Sequence, residues 1–299
     1  MATRKSPTTL SKRYYKRMLK QMILMEKLTM KMYVEKIIPL IKEFEKAVQD
    51  EAKLATNARF MYGLSAQLKR LLRQTQAQIE AEFLGIENQV NRFFSAKMAS
   101  GLAKDFVNSV DITQKETLNS EISSVLGRQR MTKLKGLNLV EDAGLKPIIK
   151  DAISENVDLI QSIPNQYLGR VKTAVLDGLA GGKSTKTLGK EISDIGGVTR
   201  RRGQFIARDQ LGSVYGKLSK KRNDNLGLKR FRWLTSHDSR VRDSHEKLDG
   251  HIYEWDKGAE GPEVEPEVWG LVPGEDFNCR CTTSVVEEDV FAMFDTFAD

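Results

Sequence analysis

The sequence predicts a mainly α protein: long N-terminal helices, a helical middle subdomain, and a small C-terminal α+β module with a short sheet. Three observations carry that prediction. Apolar residues recur at helical spacing through most of the chain. The period switches to two only near residue 231. All three histidines, all three tryptophans and both cysteines fall between Trp233 and Cys281, so the last quarter is chemically unlike the rest. The predicted divisions are 1–144, 145–228 and 229–299.

The first helix is read over 9–48, with Leu10, Tyr14, Met18, Met22, Met25, Leu28 and Met32 on one face. Pro39 kinks it or starts a new helix there. Helix continues over 51–84 around Leu64, Leu68, Leu71, Ile79 and Phe83, with Gly85 as a stop. A third segment, 86–100, centres on Val90, Phe93 and Phe94. Residues 101–145 are polar and punctuated by Gly127, Gly136 and Gly144, so short helices and connections are expected. The middle subdomain comprises helices over 145–162, from Pro164 to about 179, from Ser184 to about 195, and from Thr199 to about 218. Pro164 suits a helix start because its missing N–H costs nothing there, and Gly181-Gly182 and Gly196-Gly197 suit helix ends.

Strands are predicted over 231–235, 251–255 and 282–286. A loop over 256–276 holds three of the seven prolines and four glycines. Between the first two strands, 236–250 reads as a helix ended by Gly250. That would align Asp238, Arg242, His245 and Asp249 on one face.

Net charge is +8, unevenly distributed. Residues 1–20 hold seven Lys/Arg and no acid, and residues 200–232 hold eleven against Asp209 and Asp224. Residues 254–276 reverse this with eight acids against Lys257, and the tail after Arg280 is acidic. The basic blocks fit a polyanion bound through phosphate neutralisation. The candidate contacts with double-stranded DNA are Arg4, Lys5, Lys12, Arg13, Lys16, Arg17, Arg200, Arg201, Arg202, Arg208, Lys220, Lys221 and Arg222. A solvated surface of mixed charge is the alternative. No base-reading motif is present, so contact would be non-specific. No apolar run is long enough to span a membrane. The Met- and Leu-rich N-terminal face is a candidate surface for self-association, or else an internal bundle core.

In a strand Cys279 and Cys281 present both sulfurs to one side. With His245 and either His237 or Asp238 opposite, they form a candidate zinc site. The alternative is two small core residues and a hydrogen-bonded histidine. Trp233, Arg240, Arg242, Asp249, Gly250 and Arg280 complete the expected structural knot. No catalytic residue is assigned, since neither a Gly-rich phosphate loop nor a paired-acid motif is present. The enzyme alternative is a small thiol- or metal-dependent hydrolase, or a toxin-like enzyme, centred on His245, Cys279 and Cys281.

At these residues a family resemblance emerges. The order is Trp-Leu-Thr-Ser from Trp233, Asp-x-Arg-Val-Arg-x-Ser-His from Asp238, Leu-Asp-Gly at Asp249-Gly250, an acidic proline-bearing loop, and Asn-Cys-Arg-Cys ending at Cys281. It resembles the C-terminal domain of phage Mu F-like minor head proteins, the phage head morphogenesis proteins. Ile163-Pro164, the Gly-Gly-Lys-Ser turn and Ile206-Ala207-Arg208 also fit. Asp209-Gln210 departs from the Thr-Glu pair common after that arginine. The resemblance covers roughly residues 145–286. It implies a minor capsid protein of a tailed bacteriophage, associated with the portal and other head proteins. Its place would be the capsid interior near the portal vertex, after assembly in the host cytoplasm, with roles in head assembly, DNA contact and DNA ejection. The resemblance leaves metal binding and catalysis open.

Overall fold

A computed structural model describes residues 8–54, 65–134 and 144–298. Arg4 and Lys5 lie outside the described residues. The long helices are α1 (Thr8–Met32), α2 (Ile38–Leu54), α3 (Ala66–Phe93), α4 (Ala96–Lys133), α5 (Leu145–Ala180) and α6 (Thr185–Asn225). After them come β1 (Arg230–Leu234), a single helical turn α7 (Asp243–Glu246), β2 (Ile252–Glu254), β3 (Thr282–Val285) and α8 (Glu287–Ala298). The mainly α class with a small antiparallel sheet is as the periodicity predicts.

Some predicted breaks are present and others absent. A new helix, α2, starts at Ile38 and holds Pro39 in its first turn, as expected. A π turn over Tyr33–Ile37 joins α1 to α2, and the Ile38 N–H bonds to the Tyr33 carbonyl. The wider turn absorbs the register change before the proline. Pro164 lies inside α5 rather than at a start. Gly85 lies within α3 and Gly196-Gly197 within α6. The 38 residues of α4 are two helices meeting at a kink at Gly127 (φ 71°, ψ 170°), one of the expected glycine breaks, though the first is longer than expected. The break at Gly181-Gly182 is real: Lys183 N–H returns to the Gly178 carbonyl at 2.8 Å, closing the end of α5.

Two glycines inside helices have a packing reason. A Cβ on Gly196 would sit 2.9 Å from the Glu26 carboxyl carbon, and one on Gly178 would sit 2.3 Å from Leu188. These positions are small because neighbouring groups press on the helix, so they act as spacers. Gly85, by contrast, has open space around it.

The chain forms two compact units, and each draws on separated stretches. One comprises 1–16, 100–158 and 204–299; the other comprises 17–99 and 159–203. In the second unit, Met18, Met22, Met25, Ile37 and Ile41 are at most 1% exposed. The methionine face therefore belongs to the chain's own interior and is not a free surface for another copy. Glu26 ion-pairs with Arg200 there.

The first unit carries the C-terminal module. Its helices are tied by a buried polar chain: Tyr14 donates to Asn156 at 2.9 Å, and Asn156 donates to Gln210 at 2.8 Å. Tyr14 also stacks on Phe106 at 4.1 Å. The sheet order is β2-β1-β3, antiparallel throughout. Phe231 and Trp233 alternate inward on β1 and build a cluster with Leu248, Trp255, Val268, Val272, Cys279 and Cys281. A second cluster joins Leu118, Ile122 and Leu126 of α4 to Val290, Met293 and Phe294 of α8. The acidic tail is thus an amphipathic helix, which the charge pattern alone obscured. Its first turn holds Glu287, Glu288 and Asp289, favourably placed at the positive end of the helix dipole. Asp289 also takes both the Arg230 guanidinium and the Arg230 backbone N–H.

Two glycines test the spacer argument. Gly85→Ala is expected to stabilise the fold by about 0.5–1 kcal/mol, through helix propensity and a less flexible unfolded chain. Gly212→Ala would put a Cβ 2.8 Å from the Cys279 carbonyl oxygen and is expected to cost about 1–3 kcal/mol through overpacking. Urea unfolding of the two variants checks this; shifts of the same sign would sink the spacer account.

Candidate functional site

The 236–250 segment is not the predicted helix. Only Asp243–Glu246 is helical, and the flanks are turns. Polar side chains claim the backbone instead. Asp238 accepts from Arg240 N–H at 2.9 Å, and Asp249 accepts from Thr235 N–H at 2.7 Å. His237 sits at φ 49°. The four residues expected in one row therefore do not line up: Asp238 and Asp249 turn to nearby backbone, while Arg242 and His245 meet at Asp276.

His245 is 2% exposed and lies edge-on to Trp233, ring centroids 5.5 Å apart. Its Nδ1 is 3.4 Å from Cys281 Sγ and 3.7 Å from Cys279 Sγ. Its Nε2 is 3.1 Å from Asp276 Oδ2. Asp276 was not among the sequence candidates. It lay in an acidic loop whose charges gave no sign that one of them turns inward. The cysteines lie just before β3, not within it, and both sulfurs still face His245. Neither is in a disulfide.

The short Cys-Arg-Cys segment reaches this position because α6 lets it pass. A Cβ on Gly216 would meet the Pro273 carbonyl at 2.6 Å, and one on Gly274 would meet the Gly212 carbonyl at 2.3 Å. Gly274 also has φ +96°, which L side chains rarely adopt. Asp209 of α6 accepts from Asn278 N–H at 2.7 Å. Asn278 takes a left-handed conformation, φ 54°, one that asparagine tolerates.

Electrostatics divide the two thiols. The hydrogen bond from Cys281 and the His245 ring outweigh burial and bring Cys279 down to about 4; the Gly274 and Cys281 N–H groups add to this. The same Cys279 bond, together with burial, pushes Cys281 up. Burial works against a charged His245, yet Cys279 and Asp276 raise it overall. Negative charge is thus favoured on Cys279 over Cys281.

Of the remaining candidates, Asp238 is held by both Arg280 guanidinium nitrogens, which with the Arg240 N–H lower its carboxyl to about 2. It does not join the sulfur cluster. His237 is exposed and faces Thr235 at 3.2 Å and Asp249 at 3.7 Å, so it stands apart as well. Arg242 pairs with Asp276 and donates to the Phe277 carbonyl. Gly250 donates to the Trp233 carbonyl at 2.8 Å and, at φ 80°, turns the chain into β2.

A cavity of about 380 Å³ opens beside the cluster. Lys12, Arg208, Arg240 and Arg280 line it with Asp238, Cys279 and Cys281. One cation from each basic block therefore meets two from the module. Burial and the charges of Arg240 and Arg280 lower the pKa of Arg208, and its Nε has no hydrogen-bond partner among the described residues. Elsewhere, Lys12, Arg13, Lys16, Arg17, Arg201 and Lys220 are exposed. Arg13 bonds to Ser109 and Arg202 to Ser162, both at 2.8 Å. Lys221 pairs with Asp224 at 3.0 Å. Arg222 is fully buried and bound to Asp111 and Gln114. Its sequence assignment as a DNA contact is corrected: it is a core ion.

Residues 169–284 match the family described as Phage Mu protein F like protein. This stretch is similar to that family. It contains His245, Asp276, both cysteines and α6, so the whole sulfur cluster lies inside it. An uncharacterized protein of Haemophilus influenzae is 34% identical over 187 residues, 61% of this chain and 38% of its own length. An uncharacterized protein of Methanocaldococcus jannaschii is 30% identical over 133 residues, 44% of this chain and 19% of its own. The chain thus spans well under half the length of these relatives. No solved structure matches it. Among the described residues no helix is long and apolar enough to cross a membrane.

Arg222 separates core from surface experimentally. Arg222→Ala strands Asp111 and Gln114 and is expected to cost on the order of 3 kcal/mol. Lys220→Ala, two residues away and exposed, is expected to leave thermal unfolding unchanged. Equal melting temperatures for the two variants would overturn the buried assignment.

Proposed function

We propose that this chain is a minor head protein of a tailed bacteriophage, bound near the portal inside the head and contacting packaged DNA without sequence specificity. The Mu F-like match carries the head-protein part. The DNA part rests on the cavity where Lys12, Arg208, Arg240 and Arg280 gather. Cations from two distant basic blocks converge there, as phosphate neutralisation requires. Lys12, Arg13, Lys16 and Lys220 are exposed cations of the same compact unit, and Arg17 and Arg201 are exposed on the other. The virion is the location this reading gives, and delivery of DNA at ejection is part of the same proposal.

A second reading takes the Cys-His-Asp order as a thiol hydrolase. Both sulfurs are largely withdrawn from solvent, Cys279 at 4% and Cys281 at 6% exposed, which disfavours attack on a substrate. The proposal therefore assigns no catalysis.

Retention on duplex DNA across a salt series tests the DNA contact. The log of affinity should fall linearly with the log of salt, by roughly 0.9 per phosphate neutralised. Replacing Lys12, Arg208 and Arg240 together by Ala should flatten that slope and weaken binding on all sequences alike. A slope unchanged by the triple replacement would remove the cavity from the DNA contact. A wild-type protein that does not bind at low salt would remove DNA altogether. Co-purification with the assembled portal ring tests the portal association separately.

A further inference from the structure

The three buried groups His245, Cys279 and Cys281 have their ligand atoms within 4.8 Å of one another. We propose that they bind a zinc ion whose fourth ligand is water, facing the cavity beside Asn278. Distance is the first argument. A tetrahedral zinc with Zn–S of about 2.3 Å and Zn–N of about 2.05 Å sets sulfur and nitrogen about 3.6 Å apart. The two Sγ to Nδ1 distances are 3.4 and 3.7 Å, one on either side of that value. Two soft sulfurs and one imidazole are also the donor set that zinc takes.

The surroundings supply the rest of a metal site. Asp276 sits 3.1 Å from His245 Nε2. It can accept a hydrogen bond from Nε2–H, fixing the tautomer that leaves the Nδ1 lone pair aimed at the sulfurs, as carboxylates do behind metal-bound histidines. Asp276 is itself fixed by Arg242. Cys279 Sγ accepts the Cys281 N–H at 3.4 Å, which stabilises negative charge on sulfur. A cavity of about 140 Å³ is lined by His245, Asn278, Cys279 and Cys281. Asn278 Oδ1 is buried there with no hydrogen-bond partner among the described residues. A buried acceptor of this kind requires a donor, and a metal-bound water provides one. Asp238 and His237 are occupied elsewhere, so the protein contributes three ligands. Three ligands and a water make an open site, unlike the closed four-ligand structural type. The ion would join α7 to the segment before β3, two parts of the module far apart in sequence. It would do so where Cys-x-Cys spacing disfavours a disulfide.

The proposal stands apart from the head-protein reading, since metal loading and DNA retention are read separately. Full-length protein purified without chelator should carry about one zinc per chain by elemental analysis. Stripped protein titrated with Co(II) should develop a thiolate-to-cobalt charge-transfer band and strong tetrahedral visible bands, complete at about one equivalent. Imidazole should shift the visible bands by displacing the water. Asp276→Asn, which alters a positioning residue, should keep the spectrum and weaken affinity about 10–100-fold. Cys279→Ser and His245→Ala should each lose the full spectrum. Wild-type protein with less than about half an equivalent of zinc and no cobalt bands overturns the site, whatever the variants do. A cobalt spectrum indifferent to imidazole overturns the water ligand.

Discussion

The histidine–cysteine site depends on a close crossing of backbones. The segment around Pro273–Cys279 lies against α6 where the helix presents Gly212 and Gly216. At an ordinary helix surface a side chain would hold the segment away by the width of at least a methyl group. Cys279 would then not reach His245. The glycines forgo helix propensity, roughly 1 kcal/mol each, and in return the segment packs on bare helix backbone. Asp209, one helical turn away, accepts the Asn278 N–H and so fixes the segment along the helix axis. The positions of both sulfurs follow from these contacts with α6.

The face of the sheet that carries Phe231 and Val285 is shared by two clusters, which explains how so small a module keeps its geometry. One face of β1 sends Phe231 and Trp233 into the cluster that includes the cysteines. Val285 of β3 packs on the other cluster, shared by α4 and α8. The exposed edge of β3 is managed too: Glu121 of α4 accepts the Val285 N–H at 3.1 Å. The expected structural knot is therefore not self-contained: part of its sheet packs on a cluster supplied by α4 and α8. Small modules need such staples because their cores alone supply little stability.

The strands were legible because aromatic and polar residues alternate at Phe231-Arg232-Trp233, and no helical spacing competes. The long helices were legible in existence but not in length. Glycine in a sequence has two meanings, a turn with positive φ or a close neighbour. Gly182 carries the first, at φ 69°, and Gly196, Gly212 and Gly216 the second. Only the partner across the gap distinguishes them, and that partner is remote in sequence. The turn at 236–242 was misread because its aspartates matched a helical face. Their short side chains bond more readily to nearby backbone N–H groups. Arg222 did carry a readable signal: Leu211, Tyr215, Leu218 and Leu226 share its helical face, and all are buried. An arginine on an apolar stripe points inward, and its charge is then spent inside the fold.

That distinction sharpens what the net charge of this chain means. Arg222, Arg230, Arg242 and Arg280 are each bound to a carboxylate within the fold. Their charges are largely neutralised at short range and add little to an outer field. Lys12, Arg208 and Arg240 line the cavity from different elements. Arg208 already feels repulsion from Arg240 and Arg280. A group of like charges held together by folding is an arrangement that an anion would relieve. The basic character relevant to a polyanion therefore lies in these few convergent residues and the exposed stretch of α1, rather than in the count of Lys and Arg along the chain.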